Sequence, residues 1–199
     1  MESFIERCAK AGFDSEEEIV TAAVDYMNGE AEPSFLLPHA KRTTRNAFAR
    51  LREEQSTWPE ITDCDRLDAA FEELDKGGII SRQNYSCCQT CGNCEIGDEM
   101  SKAFDSGRDV RGYAYYHMQD TETAAEGGGV FLCYGAVEEP EGALGALGNE
   151  IVTTLEKHGL HPIWNGDVKR RIQVPLDWKR RREFPTEPTL FQKLRSFFD

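Results

Sequence analysis

Cysteines are concentrated in one short segment of the chain. The stretch SCCQTCGNCEIGDEM, residues 86–100, holds four of the seven cysteines, and Cys88, Cys91 and Cys94 follow one another at intervals of three residues. Thiols at such spacing can bind a metal ion, form a redox pair, supply a nucleophile, or serve as small apolar residues of a core. This segment is therefore the first candidate for a functional site.

The spacing of Cys88 and Cys91, followed by Gly92, is similar to a zinc knuckle. Two thiolates in a C-x-x-C turn can converge on one ion, and glycine eases the backbone where its amides turn towards sulfur. A structural zinc takes about four ligands, but outside this segment the sequence has no further C-x-x-C pair. We therefore predict a zinc site on Cys88 and Cys91, with the remaining ligands drawn from neighbours or from residues brought in by folding: Cys87, Cys94, Cys64, His117 and Cys133.

A catalytic interpretation joins the cysteines to the stretch YHMQDTE. In a cysteine-dependent hydrolase or transferase, Cys88 or Cys87 would be the nucleophile, His117 the general base, and Asp120 the group that orients the imidazole. A cysteine that precedes a helix also has its thiolate favoured by the helix N-terminus. The same residues have a structural interpretation, in which His117 is a core histidine and Asp120 caps the next turn. Reduced structural thiols and a Cys88/Cys91 redox pair are further alternatives.

The formal charge of the chain is −13 at pH 7, and it is unevenly distributed. Residues 61–160 hold 19 acidic and 7 basic side chains, whereas residues 161–199 hold 5 acidic and 9 basic ones. An acidic surface repels nucleic acid phosphates and attracts basic proteins, although it can also serve only for solubility. We expect a basic protein as partner and no nucleic acid. The basic run WKRRR, residues 178–182, is interpreted as a solvated run of charges.

The sequence favours a cytoplasmic protein without membrane contact. No apolar run among the 199 residues approaches the roughly 20 residues that span a bilayer. The N-terminus, MESFIERCAKAGFDSEEE, lacks the basic start, apolar stretch and cleavage site of a secretory signal. Seven cysteines are an odd number, and in the cytoplasm thiols stay reduced. We therefore expect the thiols to serve metal binding, catalysis or packing rather than a disulfide framework.

The elements that position the cysteines are predicted from hydrophobic periodicity and capping residues. Residues 1–58 are predicted to form a helical N-terminal extension, in which Ser15 and Glu18 have the spacing of a capping box. Residues 59–199 are predicted to form an α+β domain that contains the cysteine-rich turn and ends in an amphipathic helix. The apolar face of that last helix comprises Leu190, Leu194, Phe197 and Phe198.

Within the α+β domain, the cysteines are predicted to form a turn between a strand in IISRQNYS and a short helix in EIGDEMSKAF. RGYAYYHM and GGVFLCYGA are predicted to pair as antiparallel strands, and HPIW with RRIQVPL as a hairpin. Strong helices are predicted before the first strand, in TDCDRLDAAFEELDKGG, and over residues 141–158. The predicted architecture is a mainly antiparallel sheet covered by helices.

Four stretches, TDCDRLDAAFEELDKGGI, SCCQTCGNCEIG, YHMQDTE and GLHPIWNGDVKRRIQVPLDWKRR, together resemble a bacterial family catalogued as the domain of unknown function 6891. The resemblance covers roughly residues 55–182. It includes Cys87, Cys88, Cys91 and Gly92, but not a cysteine at position 94. The resemblance implies no activity, substrate or cofactor.

Two functions from different classes remain after these observations. We favour a cytoplasmic binding or regulatory protein, such as an acidic inhibitor or immunity-type partner of a basic protein, with the cysteine turn as a structural staple that zinc completes. The alternative is a small cysteine-dependent hydrolase or transferase that uses Cys88, His117 and Asp120.

Overall fold

The structure is a computed structural model that describes residues 1–137 and 142–184. The predicted C-terminal helix with Leu190, Leu194, Phe197 and Phe198 lies outside the described residues. The elements within them follow in the order α1 (Glu2–Ala11), α2 (Glu16–Tyr26), α3 (Pro33–Gln55), α4 (Asp63–Lys76), β1 (Ile79–Arg82), α5 (Gln89–Asp105), β2 (Gly112–Tyr115), α6 (Met118–Ala125), β3 (Val130–Ala136), α7 (Ala143–Lys157) and β4 (Ile172–Val174). The predicted α+β fold is confirmed.

The four strands form one sheet in the order β1-β2-β3-β4. The pairs β2–β3 and β3–β4 are antiparallel, as predicted, whereas β1 and β2 are parallel, so the sheet is mixed. Parallel neighbours need a long crossover, and α5 supplies it. Because β1 and β2 run in the same direction, both end at one edge of the sheet. The helices that follow them, α5 and α6, therefore begin at that edge.

The two faces of the sheet are covered by different helices, because successive side chains of a strand point to opposite faces. One face packs against α4, α6 and α7, and its buried strand residues include Ile79, Ala114, Leu132 and Ile172. The other face packs against α5, whose Ile96 and Ala103 lie over Ile80, Tyr115 and Cys133. The position of α5 on this second face determines where the cysteines lie.

The first three helices have a small core of their own. The Ser15 capping box is present at the start of α2: the Ser15 amide donates to Glu18 Oε2 at 2.7 Å, and the Glu18 amide donates to Ser15 Oγ at 3.3 Å. The core residues of this layer are Ile5, Ala9, Ile19, Val20, Ala23, Ala40 and Ala47. In the described ranges, none of the helices has the length and apolar character that crossing a bilayer requires.

The basic run near residue 180 forms what we call the arginine strap, residues 179–182, which joins the sheet domain to the first helices. Arg180 Nη2 donates to Asp68 Oδ1 at 2.7 Å and to Gln83 Oε1 at 2.6 Å, and its side chain is only 13% exposed. Arg182 Nε donates to Ala9 O at 2.9 Å. The interpretation of WKRRR as a solvated run is therefore wrong. These guanidinium groups donate hydrogen bonds to carboxylate, amide and carbonyl oxygens of residues that are distant in the sequence.

Candidate metal centre

Three sulfur atoms lie together where the β1–α5 loop enters α5. The Sγ atoms of Cys87, Cys88 and Cys91 are all within 4.8 Å of one another. Cys87 is exposed, and the other two are half-buried. Thiolates around a tetrahedral zinc ion are about 3.8 Å apart, given Zn–S bonds of about 2.3 Å. Small rotations of these side chains would therefore convert the group into a set of three metal ligands.

The helix that carries the cysteines begins earlier than the sequence predicts. Instead of a turn that leads to a helix near Glu95, α5 starts at Gln89, and Cys88 is its N-cap. Cys91 and Cys94 consequently lie within the helix. Cysteine, glycine and asparagine are weak helix formers, which is why local propensity favoured a turn. Packing of α5 on the sheet overrides that preference.

Gly92 sets the close approach of α5 to the sheet. A Cβ atom at this position would lie 2.6 Å from the Tyr115 ring. The Tyr115 hydroxyl lies 2.6 Å from Asn93 Oδ1 and 3.1 Å from Gln89 O, so β2 holds the first turn of α5. We expected Gly92 to ease the backbone where its amides turn towards sulfur. The structure instead shows that Gly92 leaves room for the Tyr115 ring. Tyr115 was not singled out from the sequence, because a strand tyrosine carries no local signal of such a contact.

The loop before Cys87 is held in an uncommon conformation. Asn84 and Ser86 have φ values of 50° and 59°, in the left-handed region that costs non-glycine residues about 1–3 kcal/mol each. Contacts with the start of α6 maintain it: Thr121 Oγ1 donates to Asn84 Oδ1 at 2.7 Å, and the Met118 amide donates to Ser86 O at 3.1 Å. The loop is therefore positioned by the fold rather than by the cysteines alone.

Two thiols at the start of α5 have pKa values shifted in opposite directions, downwards for Cys88 and upwards for Cys91. The Cys91 amide lowers the pKa of Cys88, and contacts from the thiols of Cys91 and Cys87 add to the effect. Contacts with the thiols of Cys87 and Cys88 raise the pKa of Cys91 to about 12. No side-chain hydrogen bond of normal geometry caps α5. The thiolate is therefore favoured at Cys88 and disfavoured at Cys91.

His117 and Asp120 form a capping box at the start of α6. The His117 amide donates to Asp120 Oδ2 at 3.1 Å, and the Asp120 amide donates to His117 Nδ1 at 3.3 Å. Arg171 also donates to Asp120. Burial lowers the pKa of His117, the Asp120 charge raises it, and the Arg171 charge lowers it.

The catalytic interpretation requires His117 to contact both Asp120 and a thiol. Nδ1 of His117 lies 3.3 Å from the Asp120 amide that donates to it and 3.2 Å from Asp120 Oδ2, so the α6 cap and the carboxylate of the catalytic interpretation contact the same nitrogen. In the described part of the chain, no hydrogen bond joins His117 to a thiol. The joint role of Cys88, His117 and Asp120 in the alternative function therefore stays a prediction.

The other cysteines considered as ligands lie outside the group of three. Cys64 faces the core from α4, and burial raises its pKa to about 12. Cys133 is buried on β3 opposite Tyr115, and Cys94 is exposed on α5. Cys64 was predicted as a ligand because folding can bring distant thiols together, but its position on the inner face of α4 buries it instead. All seven cysteines lie in the described residues and are free.

Comparison with known protein families gives a match over most of the chain. A family model described as Domain of unknown function (DUF6891) matches residues 1–182. The match begins at residue 1, so it includes the N-terminal helices, whereas the resemblance found from the sequence covers only roughly residues 55–182. It also contains the three-sulfur group and ends at the arginine strap. No curated protein and no solved structure matches the chain.

Proposed function

Because the chain belongs to the DUF6891 family, whose description names no activity, we propose from its geometry that it is a zinc-binding recognition protein. The observation that carries the proposal is the group of three sulfur atoms within 4.8 Å of one another, at Cys87, Cys88 and Cys91. Thiolates are soft ligands that zinc prefers, and structural zinc sites are commonly rich in cysteine. The family description supplies no competing activity.

The three cysteines would give the zinc ion a structural role. Cys87 belongs to the loop, Cys88 is the N-cap of α5, and Cys91 lies in its first turn. A zinc ion supplies the positive charge that keeps several neighbouring thiolates deprotonated. Cys88 would bind first, because its pKa is lowered by the Cys91 amide. The bound loop and helix would then form one rigid surface at this edge of the sheet.

The acidic side chains on the exposed side of α5 favour binding of a basic protein. Glu95, Asp98 and Asp105 are exposed on this helix, and Lys102 is its basic residue. Opposite charges at an interface accelerate association and disfavour wrong partners. We propose an acidic inhibitor or immunity-type role, in which a basic protein binds α5. The seven free thiols support a cytoplasmic location for this role, since that compartment keeps thiols reduced.

Elemental analysis tests the zinc proposal directly. Protein purified without chelator should contain about one zinc per chain, and Cys91→Ser should lose most of it because one of three thiolate ligands is removed. Chelation should also lower the melting temperature of the wild type, since metal binding contributes to folding free energy. Zinc-free wild-type protein that regains none in a zinc-buffered solution would contradict the proposal.

Thiol chemistry at Cys88 is a second candidate, because the lowered pKa of Cys88 increases the fraction of the reactive thiolate. A cysteine-dependent hydrolase or transferase would use this thiolate without help from His117, since no hydrogen bond among the described residues joins His117 to a thiol. In metal-free protein, iodoacetamide should then label Cys88 faster than exposed Cys94, as measured by mass spectrometry. His117→Asn, which keeps a capping side chain, should leave the rate unchanged. Equal labelling of both thiols would exclude this candidate.

A further inference from the structure

The group of three sulfur atoms leaves one position of a tetrahedral zinc site to be filled. Two exposed side chains of α5 are near enough in sequence to fill it, Cys94 and Glu95. We infer that the carboxylate of Glu95, and not the thiol of Cys94, is the fourth ligand. This inference deepens the proposed function and rests on it.

The helical positions of the two candidates differ. At about 100° per residue, Glu95 lies about 40° around the helix axis from Cys91 and about 20° from Cys88. Cys94 lies about 60° from Cys91 and about 120° from Cys88. Helical side chains also lean towards the N-terminus of their helix, which directs Glu95 back over the turn that precedes it. Glu95 therefore continues the stripe that Cys88 and Cys91 begin, and Cys94 lies beside it.

A hydrogen bond already holds the Glu95 carboxylate over the cysteine turn. Ser86 Oγ donates to Glu95 Oε1 at 3.2 Å, and Ser86 immediately precedes Cys87. Among the described residues, Oε2 has no hydrogen-bond partner, so it is free to meet a cation. Ligating carboxylates in metal sites are commonly fixed by a second hydrogen bond of this kind. Ser86 thus serves as a positioning residue for Glu95.

Ligation requires a change in the side-chain conformation of Glu95. Glu95 lies outside the group of atoms within 4.8 Å of one another, so its side chain has to rotate towards the sulfurs. The side chain is exposed, so no neighbouring core residue opposes that rotation. Cys94 also lies outside the group, and no contact among the described residues directs its thiol towards the other three.

Zinc affinity and cobalt spectra of the full chain distinguish the two ligands. Zinc binding is measured by competition with a chromophoric chelator, and thiolate ligands are counted from the charge-transfer intensity of the Co²⁺ form. Glu95→Ala should weaken zinc binding by about 10- to 100-fold. Its charge-transfer intensity should stay at the wild-type level while the ligand-field bands shift, because water replaces the carboxylate. Glu95→Gln, which keeps the shape of the side chain, should weaken binding in the same direction.

Two exposed positions on α5 provide matched controls. Cys94→Ser and Asp98→Ala should each leave zinc affinity within about twofold of wild type, since neither residue would contact the ion. A Cys94→Ser variant that loses about a quarter of the charge-transfer intensity would overturn the inference. So would Glu95→Ala with unchanged zinc affinity, while zinc binding by the wild type would still support the proposed function. A wild type that binds neither zinc nor cobalt would defeat both.

Discussion

The helices α5 and α6 begin at the same edge of the sheet, but their first turns are built differently. At α6, His117 and Asp120 are buried and satisfy each other's amides at 3.1 and 3.3 Å. At α5, Cys88 forms no side-chain cap of normal geometry, and three thiols lie around the helix start. In a completed cap, the side-chain acceptors are already hydrogen-bonded to backbone amides and are less available to bind a ligand. An incomplete cap leaves such atoms free for a ligand.

The capped N-terminus of α6, which we call the closed cap, also supports the uncapped N-terminus of α5, which we call the open start. Met118 and Thr121, in the first turn of α6, bind the backbone of Ser86 and the side chain of Asn84. These contacts hold the left-handed residues of the loop that leads to Cys87. His117 and Asp120, which cap α6, are therefore linked to the cysteine loop through the first turn of that helix.

Breaking the closed cap should have the largest effect. Asp120→Ala removes the acceptor for the His117 amide and leaves the Arg171 guanidinium without its carboxylate partner. Breaking a mostly buried ion pair from one side costs about 3–5 kcal/mol, somewhat less here because Arg171 is partly exposed. Urea unfolding should show a large loss, accompanied by weaker zinc binding. Asp98→Ala, at an exposed position, should change the unfolding free energy by less than about 0.5 kcal/mol.

An Asp120→Ala variant as stable as wild type would show that the α6 cap is not the support described here. Asp120→Asn refines the test, because asparagine keeps capping ability and lacks the charge that faces Arg171. Its stability should lie between those of the wild type and Asp120→Ala.

Moving the first turn of α5 away from β2 should have an intermediate effect on the free energy of unfolding. Gly92→Ala places a Cβ atom 2.6 Å from the Tyr115 ring, and such overpacking costs about 1–3 kcal/mol. Because α5 has to move away from β2, zinc affinity should fall as well. Gly97 is a matched control in the same helix, since a Cβ there meets no atom within 4 Å. Gly97→Ala should stabilise the protein by about 0.5–1 kcal/mol and leave zinc binding unchanged. Equal effects of the two variants would contradict the packing role of Gly92.

The pH dependence of the closed cap should give the smallest effect. Burial holds the pKa of His117 below its ordinary value of 6.5 in the folded protein. Between the two pKa values the unfolded chain binds the extra proton, so stability falls as the pH is lowered through 6.5. His117→Asn keeps a capping side chain and should flatten this dependence in thermal melts between pH 7.5 and 5.5. A slope identical to that of the wild type would mean that His117 does not contribute to it.

Local signals in the sequence identified much of the fold. The capping box of Ser15 with Glu18 is present, and Leu67, Phe71 and Leu74 form the buried stripe of α4. Such features depend on residues three to seven positions apart, which one sequence displays directly. The parallel pairing of β1 with β2 was not predicted, because strand order and direction depend on packing between distant elements.

The candidate site was predicted in part for the same reason. Cys87, Cys88 and Cys91 are neighbours in the chain, and the structure brings their sulfurs together. The contributions of Tyr115 and Asn84 depend on contacts across 22 to 37 positions, which no local pattern reveals. For Glu95, the ligand that we infer, the sequence offers one signal: it follows Cys91 by four residues, which places both on one side of a helix.

The arginine strap has a consequence for how the chain is made. Arg182 donates to the carbonyls of Ala9 and Cys8 at the end of α1, across 173 and 174 positions, and Arg180 packs over Gly12. During synthesis, the end of α1 emerges early and waits for these partners until almost the whole family segment, residues 1–182, has been translated. Contacts of such separation form slowly. The N-terminal helices should therefore reach their final stability only after translation of the strap, and a nascent chain that stops before residue 179 should remain sensitive to protease at α1.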